Sequence, residues 1–122
     1  MSYNKNRKTT ADGRFTVGQY ASAGGNGDRY PYIVRAVSDS GKEMLVSHVS
    51  TSSLDYAQKN NLKIIEVMDS VDCYGGPMKE AIVGHAQETQ PVKHLKYGWG
   101  RRGPRAFGGF SPGYSNTRNP SF

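Results

Sequence analysis

The sequence predicts a mainly β protein: a small curled antiparallel sheet or SH3-like barrel, with one short helix and extended basic termini. Two observations carry this expectation. Apolar residues come in short β-branched and aromatic runs separated by turn-forming residues, the pattern of strands joined by tight connections. The hydrophobic fraction is only 35% and 15 of 122 residues are glycine, so a core can occupy only part of the chain.

Taken in order, residues 1–13 have no hydrophobic period and read as a basic N-terminal arm. "RFTVGQY" (14–20) alternates and predicts a short strand, and "ASAGGNGD" (21–28) predicts a loop. "RYPYIVRAV" (29–37) is the strongest strand signal. It runs through "SDSGK" (38–42), a turn sequence with Gly41 at its end, into "EMLVSHV" (43–49), so the two predict a hairpin. Pro31 cannot donate to a ladder and belongs at a strand start or an edge. "STSSLDYAQKNN" (50–61) predicts one or two helical turns, capped by Ser52 or Ser53, with Asp55 in the first turn and Asn60 or Asn61 at the end.

"LKIIEVM" (62–68) predicts a strand and "DSVDCYGGP" (69–77) a turn. "MKEAIVGHA" (78–86) fits a short strand or a short helix, and "QPVKHLKYGW" (90–99) a last strand. These elements place one β domain over residues 14–97 and a Gly/Arg/aromatic C-terminal arm over 98–122. The expected core is Phe15, Val17, Ile33, Val34, Val37, Leu45, Val46, Val49, Leu54, Ile64, Ile65 and Val67. A core of that size makes a homo-oligomer the expected state.

The net charge of +6 is segregated. Residues 1–20 carry +3, residues 21–90 carry −3, and residues 91–122 carry +6 with no acid at all. Cationic ends on a mildly acidic middle point to a polyanion, or to an acidic protein face, as partner. No run of 18 apolar residues exists and the first 15 residues lack an apolar segment, so neither a membrane helix nor a secretory signal is expected. The lone Cys73 cannot form an internal disulfide, which fits a reducing compartment. These absences point to a soluble intracellular protein.

The signals for catalysis are weak. His48, His85 and His94 fall in no metal-binding pattern. Cys73 sits among Asp69 and Asp72, whose charge disfavours a thiolate, and the two aspartates fit a solvated turn. No catalytic residue, metal or cofactor is expected. "GGNGDR" (24–29) offers glycine-freed amides and Arg29 to an anion, but it lacks the Gly-Lys-Ser/Thr of a phosphate loop and the strand–helix frame of a dinucleotide fold.

The ending "YGWGRRGPRAFGGFSPGYSNTRNPSF" (97–122) interleaves arginine with aromatic rings. Arginine pairs with phosphate and stacks on bases, and rings offer stacking surfaces. The candidate ligand-binding residues are therefore Arg29, Tyr97, Trp99, Arg101, Arg102, Arg105 and Phe107. An extended arm laid over a neighbouring subunit has the same composition, so ligand and subunit contact both stay open.

Asp28-Arg29-Tyr30-Pro31-Tyr32, the turn Ser40-Gly41-Lys42 and the ending Asn119-Pro120-Ser121-Phe122 resemble a set of small bacteriophage accessory proteins. The resemblance covers about a third of the chain and leaves out residues 50–90. It implies a phage origin and a small β fold, and it implies no activity. The expected function is a non-enzymatic phage accessory protein binding a phosphate-bearing ligand: nucleic acid, or a nucleotide such as a host defence signal that it sequesters. The alternative is a structural or virion-associated protein whose basic arms tie subunits together.

Overall fold

The computed structural model describes residues 3, 7–24, 28–72, 74–96, 98–100 and 109–117. The chain forms an open, strongly curled antiparallel sheet, a half-barrel with one short helix. Its strands are β1 (Tyr20–Ala23), β2 (Tyr30–Val37), β3 (Glu43–Ser53), β4 (Glu66–Val71), β5 (Pro77–His85), β6 (Gln90–Leu95), β7 (Gly98–Gly100) and β8 (Ser111–Pro112); α1 (Leu54–Lys59) follows β3.

The β2–β3 hairpin is the spine. Its aromatic and β-branched residues suit a pleated, buried surface. Its turn closes with Ser38 and Glu43 in backbone contact, Ser38 N–H donating to the Glu43 carbonyl at 2.9 Å. Gly41 is required there: its φ is +73°, and a Cβ would lie 2.5 Å from the Arg7 guanidinium and 2.6 Å from the Ala11 nitrogen. A bulge between Val34 and Ala36 shifts the register, so Val34 and Val37 both reach the inner core while Arg35 stays exposed.

β3 is long enough to be shared. β2 pairs with it from Met44 to His48. On its other side β6 takes Glu43–Val46 and β5 takes Val49–Ser53. The sheet order is β4-β5-β3-β2-β1-β8, with β6 and then β7 branching from β3. The curl returns β7 towards the start of β8. There a single bridge, Phe110 N–H to the Trp99 carbonyl at 2.8 Å, spans the seam.

The inner face holds the main core: Phe15, Ala21, Ala23, Tyr32, Val34, Val37, Met44, Val46, Val92, Trp99 and Phe110. A smaller cluster of Ile33, Val49 and Ile82, with Tyr20, Met68 and Tyr114 against it, lies on the opposite face. α1 starts where Ser53 Oγ accepts the Tyr56 N–H at 3.2 Å, and it ends at Asn60, followed by Asn61 with φ 54°.

Several expectations need correcting. Residues 14–19 make only an isolated bridge at Thr16, whereas β1 takes Tyr20 and the first residues of the loop expected at 21–28. The strand expected at 62–68 runs from Glu66 to Val71, so the turn shortens to residues 72–76. Asp72 sets that turn: its Oδ1 accepts from the Tyr74 and Gly76 amides at 2.9 and 2.8 Å. The segment 78–86, open between strand and helix, is strand: β5 runs over Pro77–His85. Of the expected core, Ile65 and Val67 are 48% and 47% exposed. The arms are not free-standing: Thr10 is buried, and β7 and β8 come from the segment read as a C-terminal arm.

Candidate functional site

Trp99 anchors the seam. It is 1% exposed, with Phe15 edge-on at 5.3 Å and His94 stacked at 4.9 Å and 3°. The register of β6 on β7 sets that stack, since His94 lies opposite Trp99. Its indole Nε1 donates to Asp12 Oδ2 at 2.8 Å. Asp12 also accepts from Thr10 Oγ1 at 2.7 Å and the Arg14 amide at 3.1 Å. Lost hydration pushes the Asp12 carboxyl up, but these three donors, with His94 nearby, hold it below the usual value. Trp99 is therefore a core residue whose ring is already covered, and the base-stacking expected of it has no exposed face to use.

The same contacts gather positive charge. Ala11 N–H donates to the Gly41 carbonyl at 3.0 Å, Arg7 Nη1 to the Asp39 carbonyl at 3.3 Å, and His94 N–H to the Lys42 carbonyl at 2.9 Å. Residues 7–14, the 38–42 turn and the β6–β7 hairpin thus form one end of the molecule. It carries the cations Arg7, Lys8, Arg14, Lys42, Lys93 and Lys96 against the carboxylates Asp12, Asp39 and Glu43. Glu43 is buried, accepting from Tyr3 at 2.7 Å with Lys93 Nζ at 3.9 Å, and burial beside that carboxylate raises the Tyr3 pKa. Arg14 lies over the Phe15 ring at 5.8 Å.

Tyr97, Arg101, Arg102, Arg105 and Phe107 lie outside the described residues. The residues that flank the arginine-rich stretch are placed: Gly100 lies opposite Lys93, and the Arg29 guanidinium reaches the Gly109 carbonyl at 3.4 Å. Arg29 also donates to the Ser22 carbonyl and hydroxyl at 2.7 and 3.0 Å. It is a cross-tie between β1 and the C-terminal segment, not a side chain held out to a phosphate. Gly24, in the expected anion loop, has no room for a Cβ because of the Asp28 carbonyl; residues 25–27 lie outside the described residues.

The histidines do not converge. His48 packs on Tyr32 at 4.6 Å, His85 on Tyr20 at 6.2 Å, and His94 on Trp99. Burial and then Arg35 lower the His85 pKa, with Glu66 opposing. Cys73 lies outside the described residues.

The outer face carries a second polar cluster that the sequence did not reveal. Tyr114 and Asn116 both donate to buried Glu80, Asn116 at 2.8 Å, and Tyr20 donates to Glu66 at 2.8 Å. Burial first, then the adjacent carboxylates, raise both tyrosines, Tyr20 to about 12. These bonds strap residues 114–117 across the sheet. The strap and β4 border a groove of about 280 Å³ lined by Asp69, Ser70, Val71 and residues 114–117, with no cation among the described residues of its lining.

Fold and site define a small curled-sheet protein with one cationic end. No protein-family model, curated protein or solved structure matches the chain.

Proposed function

We propose that this chain is a non-enzymatic binding protein whose cationic end takes a phosphate-bearing ligand, with single-stranded nucleic acid the favoured form. One observation carries the reading. The end that gathers Arg7, Lys8, Arg14, Lys42, Lys93 and Lys96 also holds both flanks of the Arg101–Arg105 stretch, Gly100 and Gly109. Cations spread over a surface suit an extended polyanion. A small nucleotide fits less well, because the described lining of the groove beside the 114–117 strap offers it no positive charge. The resemblance to phage accessory proteins supports a role during infection, in a host cytoplasm.

The test is a titration of a fluorescent single-stranded oligonucleotide at several salt concentrations. Affinity should fall linearly on a log–log plot, with a slope of about −0.7 per phosphate contacted. Replacing Arg101, Arg102 and Arg105 together by glutamine should flatten that slope. Binding insensitive to salt, or absent at low salt, would contradict the proposal. In the structural alternative the same arms tie subunits together, and the triple variant would lose assembly mass instead of oligonucleotide affinity.

A further inference from the structure

Among the described residues of the cationic end, His94 carries the one exposed ring. Its imidazole lies flat on the Trp99 indole, 4.9 Å between centroids and 3° between planes, yet the residue stays exposed. With its inner face on the indole, the ring meets solvent through its outer face and its edge. Its posture is fixed from beneath. Trp99 is buried, bonded to Asp12 through Nε1 at 2.8 Å and braced edge-on by Phe15. The β6–β7 register sets His94 opposite Trp99, and the His94 backbone N–H donates to the Lys42 carbonyl at 2.9 Å. An exposed ring held in this way has lost much of its side-chain entropy before any ligand arrives.

We infer that the outer face of His94 is a stacking platform for one unpaired base of a single-stranded nucleic acid, on the opposite side of the imidazole from Trp99. The inference rests on the reading of the cationic end as a phosphate-binding face, and it adds where a base goes. Single-strand binding pairs a flat π face for the base with cations for the backbone. His94 supplies the face. Lys42, whose carbonyl holds the His94 amide, and Lys93 and Lys96 along the same hairpin set cations beside it. The carboxylates nearby are already engaged. Asp12 accepts from Trp99, Thr10 and the Arg14 amide, and Glu43 accepts from Tyr3 with Lys93 Nζ at 3.9 Å. The exposed tyrosines, Tyr56 on α1 and Tyr74 after β4, lie where carboxylates outnumber cations, so they suit a base on a polyanion less well. A duplex keeps its bases stacked on one another, whereas a single strand can splay one out onto a ring, so the platform favours single strands.

The test compares a fluorescent single-stranded oligonucleotide with an abasic strand of the same length and charge. The full wild-type chain should bind the intact strand about tenfold more tightly than the abasic one. The two salt slopes should agree, because the phosphate contacts are shared. His94→Ala should lose that preference, and His94→Phe should recover most of it. Equal affinity of the wild-type chain for both strands, or an undiminished preference in His94→Ala, overturns the inference and leaves the cationic-end reading standing. Failure of the wild-type chain to bind either strand at low salt overturns both. If His94→Ala loses its fold, the emission of Trp99, the one tryptophan of the chain, decides in the wild-type protein. It should change as the intact strand binds and stay unchanged with the abasic strand, and the same response to both overturns the inference.

Discussion

At the seam, β7 meets Phe110 through one backbone bridge, and residues 7–16 lie against it, with Asp12 on the Trp99 indole and Phe15 on its ring. At the other end β4 pairs only with β5 among the described residues, and Val67 and Val71 stand exposed on it. The seam end holds six cations against three carboxylates; the end built from α1, β4 and β5 holds Asp55, Glu66, Asp69, Asp72 and Glu80 against Lys59, Lys63 and Lys79. The difference teaches that one edge is sealed by the protein's own chain and carries a net positive charge. The other exposes apolar side chains and carries a mild excess of acid.

Substitutions should separate the two ends. Trp99→Ala strikes the sealed edge hardest, removing a fully buried ring and orphaning Asp12 from its indole donor. It should cost about 3–5 kcal/mol in urea unfolding. Tyr114→Phe leaves the buried Glu80 carboxylate one donor short and should cost about 1–3 kcal/mol, read the same way.

A smaller effect follows from His85. Its pKa is lowered in the fold, so the unfolded chain binds the extra proton first as pH falls below 6.5. Stability should be complete above that pH, decline as pH drops towards the lowered folded value, and level off below it. In His85→Gln that limb should be flat in thermal melts followed by circular dichroism. Lys42→Gln combined with Lys93→Gln should cost about 1 kcal/mol or less, because Lys42 is an exposed turn residue and Lys93 makes only a long, partly exposed contact to the Glu43 carboxylate. The same pair should make the oligonucleotide salt slope shallower by about 0.7 for each phosphate that is no longer neutralised.

Legibility followed the reach of the forces involved. The β2–β3 hairpin and α1 were readable because their causes are local: the turn at Gly41, the cap at Ser53, and Asp55 in the first turn. β1 was not, because Tyr-Ala-Ser-Ala has little strand propensity of its own and forms by pairing with β2 on one side and β8 on the other. β5 stayed ambiguous because Glu80, Ala81 and Ile82 are buried in succession, which erases the two-residue period. β4 was displaced because apolar content pointed to Ile64 and Ile65, while the Asp72 turn fixed the register further on.

The candidate site was legible as charge and not as geometry. The arginine-rich ending was visible, but nothing near Trp99 in sequence says that its partner is Asp12, 87 positions away. An aromatic ring among glycines and arginines reads as a stacking surface until the fold buries it. The contributions of Lys42 and Lys93 emerge only once β6 is laid along β3.

The measurement that most directly tests this division of the molecule is hydrogen exchange with and without a single-stranded oligonucleotide at low salt. Protection should develop in residues 7–14, the 38–42 turn and the β6–β7 hairpin, while β4 and β5 exchange as before. Protection centred on β4, or none anywhere under conditions where the oligonucleotide is bound, would contradict the assignment of the cationic end as the binding face.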